Sequence, residues 1–185
     1  MKENKEGIKQ DAKTEERGGA LRGILYELLI LLIKIAAIVA VFVAIFTFIF
    51  GIFRTGDASM HPAIRDGDLV IYYRYDKEYV AGDTIVVDYN GELQARRVVA
   101  IAGDTINFTG SGQLLINGSA QQERDIYEKT FRLDTDIEFP LTLGPGEVFV
   151  LGDGREHSTD GRVYGAVLVD DTLGKVTIVI RTRRT

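Results

Sequence analysis

The sequence predicts a mainly β protein, in which a single N-terminal transmembrane helix precedes an all-β domain. Three observations lead to this fold class. A long apolar run occupies residues 23–53. After residue 54 the sequence changes to short runs rich in valine, isoleucine, threonine and tyrosine, which favour strands. Turn residues such as Gly-Asp and Asn-Gly separate these runs at intervals of roughly 8–12 residues, which is typical of all-β sandwiches and barrels.

The apolar run is predicted to cross a membrane. Residues 35–53 read IAAIVAVFVAIFTFIFGIF, without a charge. As a helix this stretch is about 29 Å long, close to the hydrocarbon thickness of a bilayer. Residues 23–34 add more apolar turns, so we assign the transmembrane helix to residues 23–53. The run is too long for a cleaved signal peptide or for the helix of a soluble core, and it ends in bulky side chains, so we expect a retained anchor.

The charged tail at residues 1–22 predicts the orientation of the chain. It contains six basic residues: Lys2, Lys5, Lys9, Lys13, Arg17 and Arg22. Basic residues in a short tail hold it in the cytoplasm, so residues 54–185 would be extracytoplasmic in a single-pass protein of the cell membrane. Acidic residues alternate with the basic ones, and the net charge of the chain is −5. We therefore expect the lipid bilayer, and no nucleic acid, as a partner.

Seven strands are predicted in the domain at residues 54–185. They are residues 69–75, 83–89, 92–102, 104–109, 113–118, 147–152 and 175–181. No helix longer than one or two turns is expected there. Residues 119–139 are the most charged and least patterned, which predicts a loop-rich insertion.

The residue counts exclude several kinds of site. The chain has no cysteine, so disulfides, thiolate metal ligands and a cysteine nucleophile are excluded. Its two histidines, His61 and His157, stand in unlike contexts far apart in the sequence, so a zinc cluster is not expected. We therefore expect neither a metal nor another cofactor.

A turn after the apolar run contains the first candidate functional residue. Ser59 stands between Ala58 and Met60, and Pro62 makes the turn rigid. A serine in a turn is most often solvated or a cap. Met60, however, belongs to no helical or strand pattern. A nucleophile held at a rigid turn near a membrane would suit a peptide bond presented from the bilayer.

Three segments resemble those of type I signal peptidases of the Gram-positive type. These are membrane-anchored serine proteases that release exported proteins from signal peptides. ASMHPAIRDGDLVIYY (58–73) is similar to the serine box of the family, ARRVVAIAGDTI (95–106) to its lysine box, and LGDGREHSTDGRVYGAV (151–167) to its last box. The resemblance implies an all-β signal-peptidase-type catalytic domain, with Ser59 as nucleophile and preproteins as substrates.

The lysine box differs from the family at its most important position. The family uses an uncharged lysine to take the proton of the serine, and that position is Arg96 here; a shift of one residue gives Arg97. Arginine keeps its proton in proteins, so Arg96 cannot be the general base. Histidine can act as a base at neutral pH, so His61, two residues from Ser59, and His157, in the last box, are alternative bases, although neither occupies the lysine position. The dyad positions are therefore Ser59 and Arg96.

The resemblance also assigns residues that support the site or line the substrate cleft. They are Asp57, Met60, Pro62, Arg97, Asp153, Ser158, Asp160 and Arg162. Asp160 and Arg162 would maintain the geometry of the site. Asp57 stands where many relatives have serine or glycine; it is either a solvated turn residue or an ion-pair partner of Arg96.

Two functions remain open at this point. The first is a membrane-bound serine endopeptidase at the outer membrane face, which would bind its substrate as an added strand. The second is a protein that has lost the base and acts as a binding or chaperone module in surface pilus assembly, with pilus subunits as partners. Retention of Ser59 favours the first function, and Arg96 favours the second.

Overall fold

The protein divides into two compact units in the computed structural model, one up to Ile45 and one from Phe46 onward. The structure describes residues 3–123 and 125–181, with side chains described from residue 23 onward. Residues 1 and 2 of the predicted tail therefore lie outside the described residues.

The N-terminal unit is one long helix, α1, over Glu3–Ala44. It continues into a short π-helical turn at Ile45–Ile49. From Gly23 to Ile49 the helix is long and apolar enough to cross a membrane, and its large apolar side chains are exposed. Its length and composition are consistent with a membrane span.

The predicted C-terminal end of the apolar helix, at residue 53, is wrong. Strand β1 begins at Phe50 and ends at Arg54. It pairs antiparallel with the tyrosine-rich strand β2, with Phe50 opposite Tyr73 and Arg54 opposite Leu69. Aromatic and β-branched residues are common in strands as well as in membrane helices, so the apolar pattern alone does not show where the helix ends and the strand begins. Residues 50–54 form a strand because β2 is available as a pairing partner.

The second unit is mainly β, as predicted. Its strands are β1 (Phe50–Arg54), β2 (Leu69–Tyr73), β3 (Thr84–Tyr89), β4 (Glu92–Ile101), β5 (Thr105–Phe108), β6 (Leu114–Ile116), β7 (Ser119–Ala120), β8 (Leu141–Thr142), β9 (Glu147–Leu151), β10 (Val167–Leu168) and β11 (Gly174–Ile180). All seven predicted strands are present, with ends that differ by at most two residues. The other four strands were not predicted.

Two antiparallel sheets form this unit. The larger has seven strands in the order β1-β2-β11-β3-β4-β9-β10, and the smaller has four in the order β7-β6-β5-β8. A short helix, α2, occupies Gly161–Tyr164. Between β7 and β8 the described residues form no helix or strand.

Strand β9 contributes to two hydrophobic clusters at once. Val148 and Val150 pack with residues of β3 and β4, whereas Phe149 and Leu151 pack with residues of β5 and β6. Successive side chains of a strand point to opposite faces, so a continuous apolar strand can serve two cores. The run EVFVL therefore lies in the interior and joins the two sheets.

Replacement of Phe149 by alanine should destabilise the fold strongly. Phe149 has no exposed surface, and its ring packs edge-to-face on Phe139. The Phe149→Ala variant should lose about 3–5 kcal/mol of unfolding free energy, because it creates a cavity in the core. Denaturant unfolding in detergent micelles measures this loss. Tyr127→Ala, at a side chain that is 85% exposed, is the control and should change it by less than about 0.5 kcal/mol. Equal effects of the two variants would contradict the assignment of this core.

Candidate active site

The turn between β1 and β2 holds Ser59 in a fixed position. Thr55 closes the turn: its N–H donates to Asp68 O (3.0 Å) and its hydroxyl to Arg65 O (2.6 Å). Inside the turn, Met60 and Ile64 are buried in a cluster with Val70 and Ala95. Met60, which fitted no pattern in the sequence, therefore anchors the residue next to the serine in the core.

Ser59 is buried, with 1% of its surface exposed, and its hydroxyl has two acceptors in reach. Its Oγ lies 2.7 Å from Asp57 Oδ2 and 3.2 Å from the backbone oxygen of His157. One hydroxyl has a single hydrogen, and a short bond to a charged oxygen is the stronger of the two. The hydroxyl therefore donates to the Asp57 carboxylate. The backbone N–H of Ser59 donates to Asp57 Oδ1 (3.2 Å).

Arg96, on β4, is the next member of the site. Its guanidinium is buried and donates to Thr159 O (2.9 Å), Ala95 O (2.6 Å) and Gln94 Oε1 (3.0 Å). Its Nη2 also lies 3.6 Å from Asp57 Oδ2, so the ion pair that the sequence suggested is present. The same carboxylate oxygen thus faces both the Ser59 hydroxyl and the Arg96 charge.

Tyr164 is a member of the site that sequence reasoning did not single out. Its ring packs on Tyr89, with centroids 4.9 Å apart, and its buried hydroxyl has no hydrogen-bond partner among the described residues. Burial raises the pKa of this hydroxyl well above its usual range, and the nearby charge of Arg96 only partly offsets the effect. Tyr164 therefore stays protonated. In the sequence, the aromatic-Gly pair near the end of the last box is the signal that could have identified Tyr164.

The neighbouring residue Arg97 points away from the serine. Its guanidinium binds the Asp153 carboxylate in a bidentate pair (2.7 and 2.5 Å) and also donates to Gly82 O. The hydrogen bonds to Asp153 raise the pKa of Arg97, so it is permanently charged. Since adjacent residues of a strand face opposite sides, Arg96 and Arg97 cannot both reach Ser59.

A buried ion pair fixes the structure of the last box, which packs against the serine turn. Asp160 and Arg162 form a buried, two-pronged ion pair with both distances at 2.9 Å. Asp160 also accepts from the Gly152 N–H (3.0 Å), and Arg162 donates to Arg155 O (2.6 Å). Every oxygen of the Asp160 carboxylate is therefore used to fold this segment around the site.

Two glycines allow the last box to approach the serine turn closely. The Gly154 N–H donates to Ser59 O (2.8 Å), and a Cβ at Gly154 would lie 2.7 Å from Ala58 O. A Cβ at Gly152 would lie 2.1 Å from the Oγ of Ser158, a buried hydroxyl with no partner among the described residues. Neither glycine position leaves room for a side chain.

Arg155, also missed by sequence reasoning, connects the last box to the segment at residues 119–139. It is fully buried and donates to Gly152 O, to the Thr130 hydroxyl and to both carboxylate oxygens of Glu123. A buried guanidinium needs such a complete set of acceptors. The 119–139 segment is therefore connected to the site through Arg155, although it forms little regular structure.

A cleft of about 410 Å³ lies beside Asp57. It is lined on one side by β1 and the serine turn and on the other by the beginning of β4: Phe53, Arg54, Thr55, Gly56, Asp57, Met60 and Ile64, then Glu92, Leu93, Gln94 and Ala95. Residues 92–96 of β4 pair with β3 on one side, and β9 begins its pairing with β4 only at Arg97. The other edge of this segment is open toward the cleft, as a strand-shaped ligand requires.

A family model of signal peptidases, peptidase S26, matches residues 28–181, which is most of the chain. The chain belongs to this signal peptidase family. The family resemblance that the three boxes predicted is confirmed by this match.

The chain is similar to several individual signal peptidases. A signal peptidase I of Mycobacterium tuberculosis is 31% identical over 46% of this chain and 35% of that protein, so the match spans about a third of this relative. A signal peptidase I of Bacillus caldolyticus is 30% identical over 69% of this chain and 78% of that protein. A crystal structure of a signal peptidase I from Enterococcus faecalis is 25% identical, covers 54% of this chain and 97% of that chain, and gives a TM-score of 0.47.

In this signal peptidase family member, the structure brings together only some of the predicted site residues. Asp57 contacts both Ser59 and Arg96, and Ser158, Asp160 and Arg162 lie in the last box, which packs against the serine turn at Gly152. Met60 lines the cleft, whereas Pro62, Arg97 and Asp153 do not. Neither imidazole is bonded to the Ser59 hydroxyl, since His157 provides only its backbone oxygen. Among the described residues, no group of three or more histidines and carboxylates could hold a metal ion.

Replacement of Asp160 should lower the unfolding free energy of this signal peptidase family member more than replacement of a residue in a partly exposed ion pair. Asp160→Ala leaves the Arg162 charge buried without its partner, so the unfolding free energy should fall by about 3–5 kcal/mol. Lys175→Ala removes partly exposed ion pairs with Asp83 and Asp76 and should cost no more than about 1 kcal/mol after solvent screening. Denaturant unfolding of both variants in micelles compares them. A similar cost for both would show that the buried pair does not support the fold.

Proposed function

We propose that the protein is a membrane-bound serine endopeptidase that removes signal peptides from exported preproteins at the outer face of the cell membrane. This proposal rests on the residues that surround Ser59. Its hydroxyl is hydrogen-bonded to the carboxylate of Asp57, and Asp57 lines a cleft with an open strand edge. A nucleophilic serine needs both a proton acceptor and a bound, extended peptide.

The shape of the cleft supports an extended substrate. A peptide added along residues 92–96 of β4 would pair through its backbone, so its sequence could vary while its conformation stays fixed. The family resemblance implies small residues at the −1 and −3 positions of the substrate. The apolar side chains of Met60, Ile64 and Leu93 suit the alanines that such positions carry.

The N-terminal helix supports the location of the enzyme. Gly23–Ile49 is apolar over enough residues to anchor the chain in a bilayer, and the basic residues of the tail favour its retention in the cytoplasm. The β unit would then lie outside, where exported preproteins emerge.

A second candidate function rests on Arg96. A guanidinium cannot accept a proton, so the family's usual base is missing. The protein would then bind peptides in the same cleft without cutting them, as a chaperone in surface pilus assembly.

Cleavage of a preprotein distinguishes the two functions. We expect the full-length protein in detergent to cut a preprotein with alanine at −1 and −3, and the Ser59→Ala variant to lose ~1,000-fold or more in rate. His61→Ala and His157→Ala should each lose less than tenfold, against the ~10²–10⁴-fold that a general base contributes. Binding of the preprotein by the wild type without any Ser59-dependent cut would favour the second function.

A further inference from the structure

We propose that Asp57 is the proton acceptor for Ser59, and that Arg96 is a positioning residue that orients the Asp57 carboxylate and balances its charge. This inference rests on the proposed endopeptidase function and names the base that the function needs. It starts from one contact, the 2.7 Å hydrogen bond from Ser59 Oγ to Asp57 Oδ2. That distance is within the range over which a general base takes a proton.

The other groups of the site are unsuited to this role. Arg96 is permanently charged, and Tyr164, which lies near Arg96, stays protonated because burial raises the pKa of its hydroxyl. His157 offers Ser59 its backbone oxygen, which is not a base. Among the described side chains, Asp57 is the ionisable group that the Ser59 hydroxyl contacts.

The reaction balances with water as the second reactant. The Ser59 Oγ–H proton moves to Asp57 Oδ2 while Oγ bonds to the substrate carbonyl carbon, and the π electrons move to the carbonyl oxygen. The tetrahedral intermediate then expels the amine, which takes the proton from Asp57, and a serine ester remains. Water attacks the ester and gives a proton to Asp57; the intermediate then expels Oγ, which takes that proton back.

Proton transfer to Asp57 also prepares the site for the oxyanion. In the resting site the Ser59 N–H donates to Asp57 Oδ1, a long bond of 3.2 Å. Once the carboxylate is protonated it is a weaker acceptor, so this N–H becomes free to donate to the developing oxyanion. The repulsion between a carboxylate and an oxyanion is removed by the same step.

Arg96 provides a fixed positive charge at this point. Its Nη2 lies 3.6 Å from the oxygen that accepts the proton, and three neutral oxygens fix its guanidinium. When Asp57 becomes neutral, the cation remains next to the new negative charge on the substrate. A preorganised charge of this kind stabilises a transition state without reorganisation.

Asp57 is placed between the serine and the cleft. The charged groups that face or flank it are Arg96 from β4, and Arg54 and Glu92, which line the same cleft. The Asp57 side chain is half exposed, so a substrate in the cleft would remove water from it and strengthen its contacts with Ser59 and Arg96.

The test compares Asp57→Asn with a matched aspartate elsewhere. We expect Asp57→Asn to lower kcat on a synthetic preprotein peptide by ~100-fold or more, because it removes a general base and keeps the shape of the side chain. Its Kd for the peptide, measured in a Ser59→Ala background, should stay within about threefold, which shows that the cleft is folded. Asp136→Asn, at an exposed aspartate outside the cleft, is the control and should match the wild type.

Two further variants test the role of Arg96. Arg96→Gln should lower kcat more than it raises KM, since the cation acts on the transition state. In the double variant Asp57→Ser with Arg96→Lys, the Arg96→Lys change gives Ser59 the lysine partner of the family. The Asp57→Ser change removes the carboxylate and gives position 57 a residue that many relatives have. The activity of this double variant should be lower at pH 5.5 than at pH 7.5, because a lysine must lose its proton before it can act as a base.

The outcomes separate the inference from the function on which it rests. Ser59-dependent cleavage that persists in Asp57→Asn within threefold of the wild type would overturn the role of Asp57 and leave the endopeptidase intact. A wild type that does not cut, with activity appearing only when Arg96→Lys is introduced, would overturn both the role of Asp57 and the activity of the natural chain. A ~100-fold loss in Asp57→Asn with unchanged peptide binding supports the inference.

Discussion

The buried charge of Arg96 is the constraint around which the site is built. A guanidinium removed from water is tolerated only when each of its N–H groups has an acceptor and its charge has a counterion. Gln94 and Ala95 supply acceptors from β4, and Thr159 supplies one from the last box. The counterion is Asp57 from the serine turn. The Arg96 side chain thus connects the serine turn, β4 and the last box.

Buried charged groups fix the structure of the last box next to these segments. Its ion pair between Asp160 and Arg162 is buried, so removal of either partner would leave a charge without compensation. Arg155 extends the same network to the otherwise irregular segment at residues 119–139 through Glu123 and Thr130. The site is therefore supported by charged hydrogen bonds as well as by apolar packing.

Much of the fold could be predicted from the sequence, because most strands here are long and rich in β-branched residues. Strands β7, β8 and β10 have two residues each and leave no pattern to detect. Strand β1 was hidden because FGIFR continues an apolar run, and only its pairing with β2 distinguishes it from helix. The sequence could place Ser59 and Arg96 near each other through the family boxes. It could not place the Asp57 carboxylate on the Ser59 hydroxyl, since the rotamer of a turn residue depends on tertiary contacts.

The close approach at Gly154 limits how freely the parts of this protein can be exchanged with those of other family members. The family resemblance implies asparagine at this position in most relatives, and a Cβ there would lie 2.7 Å from the carbonyl oxygen of Ala58. A chimera that received only the last box of a relative would therefore have to displace the backbone of its own nucleophile. Grafts between family members should succeed only when both loops are transferred as a matched pair.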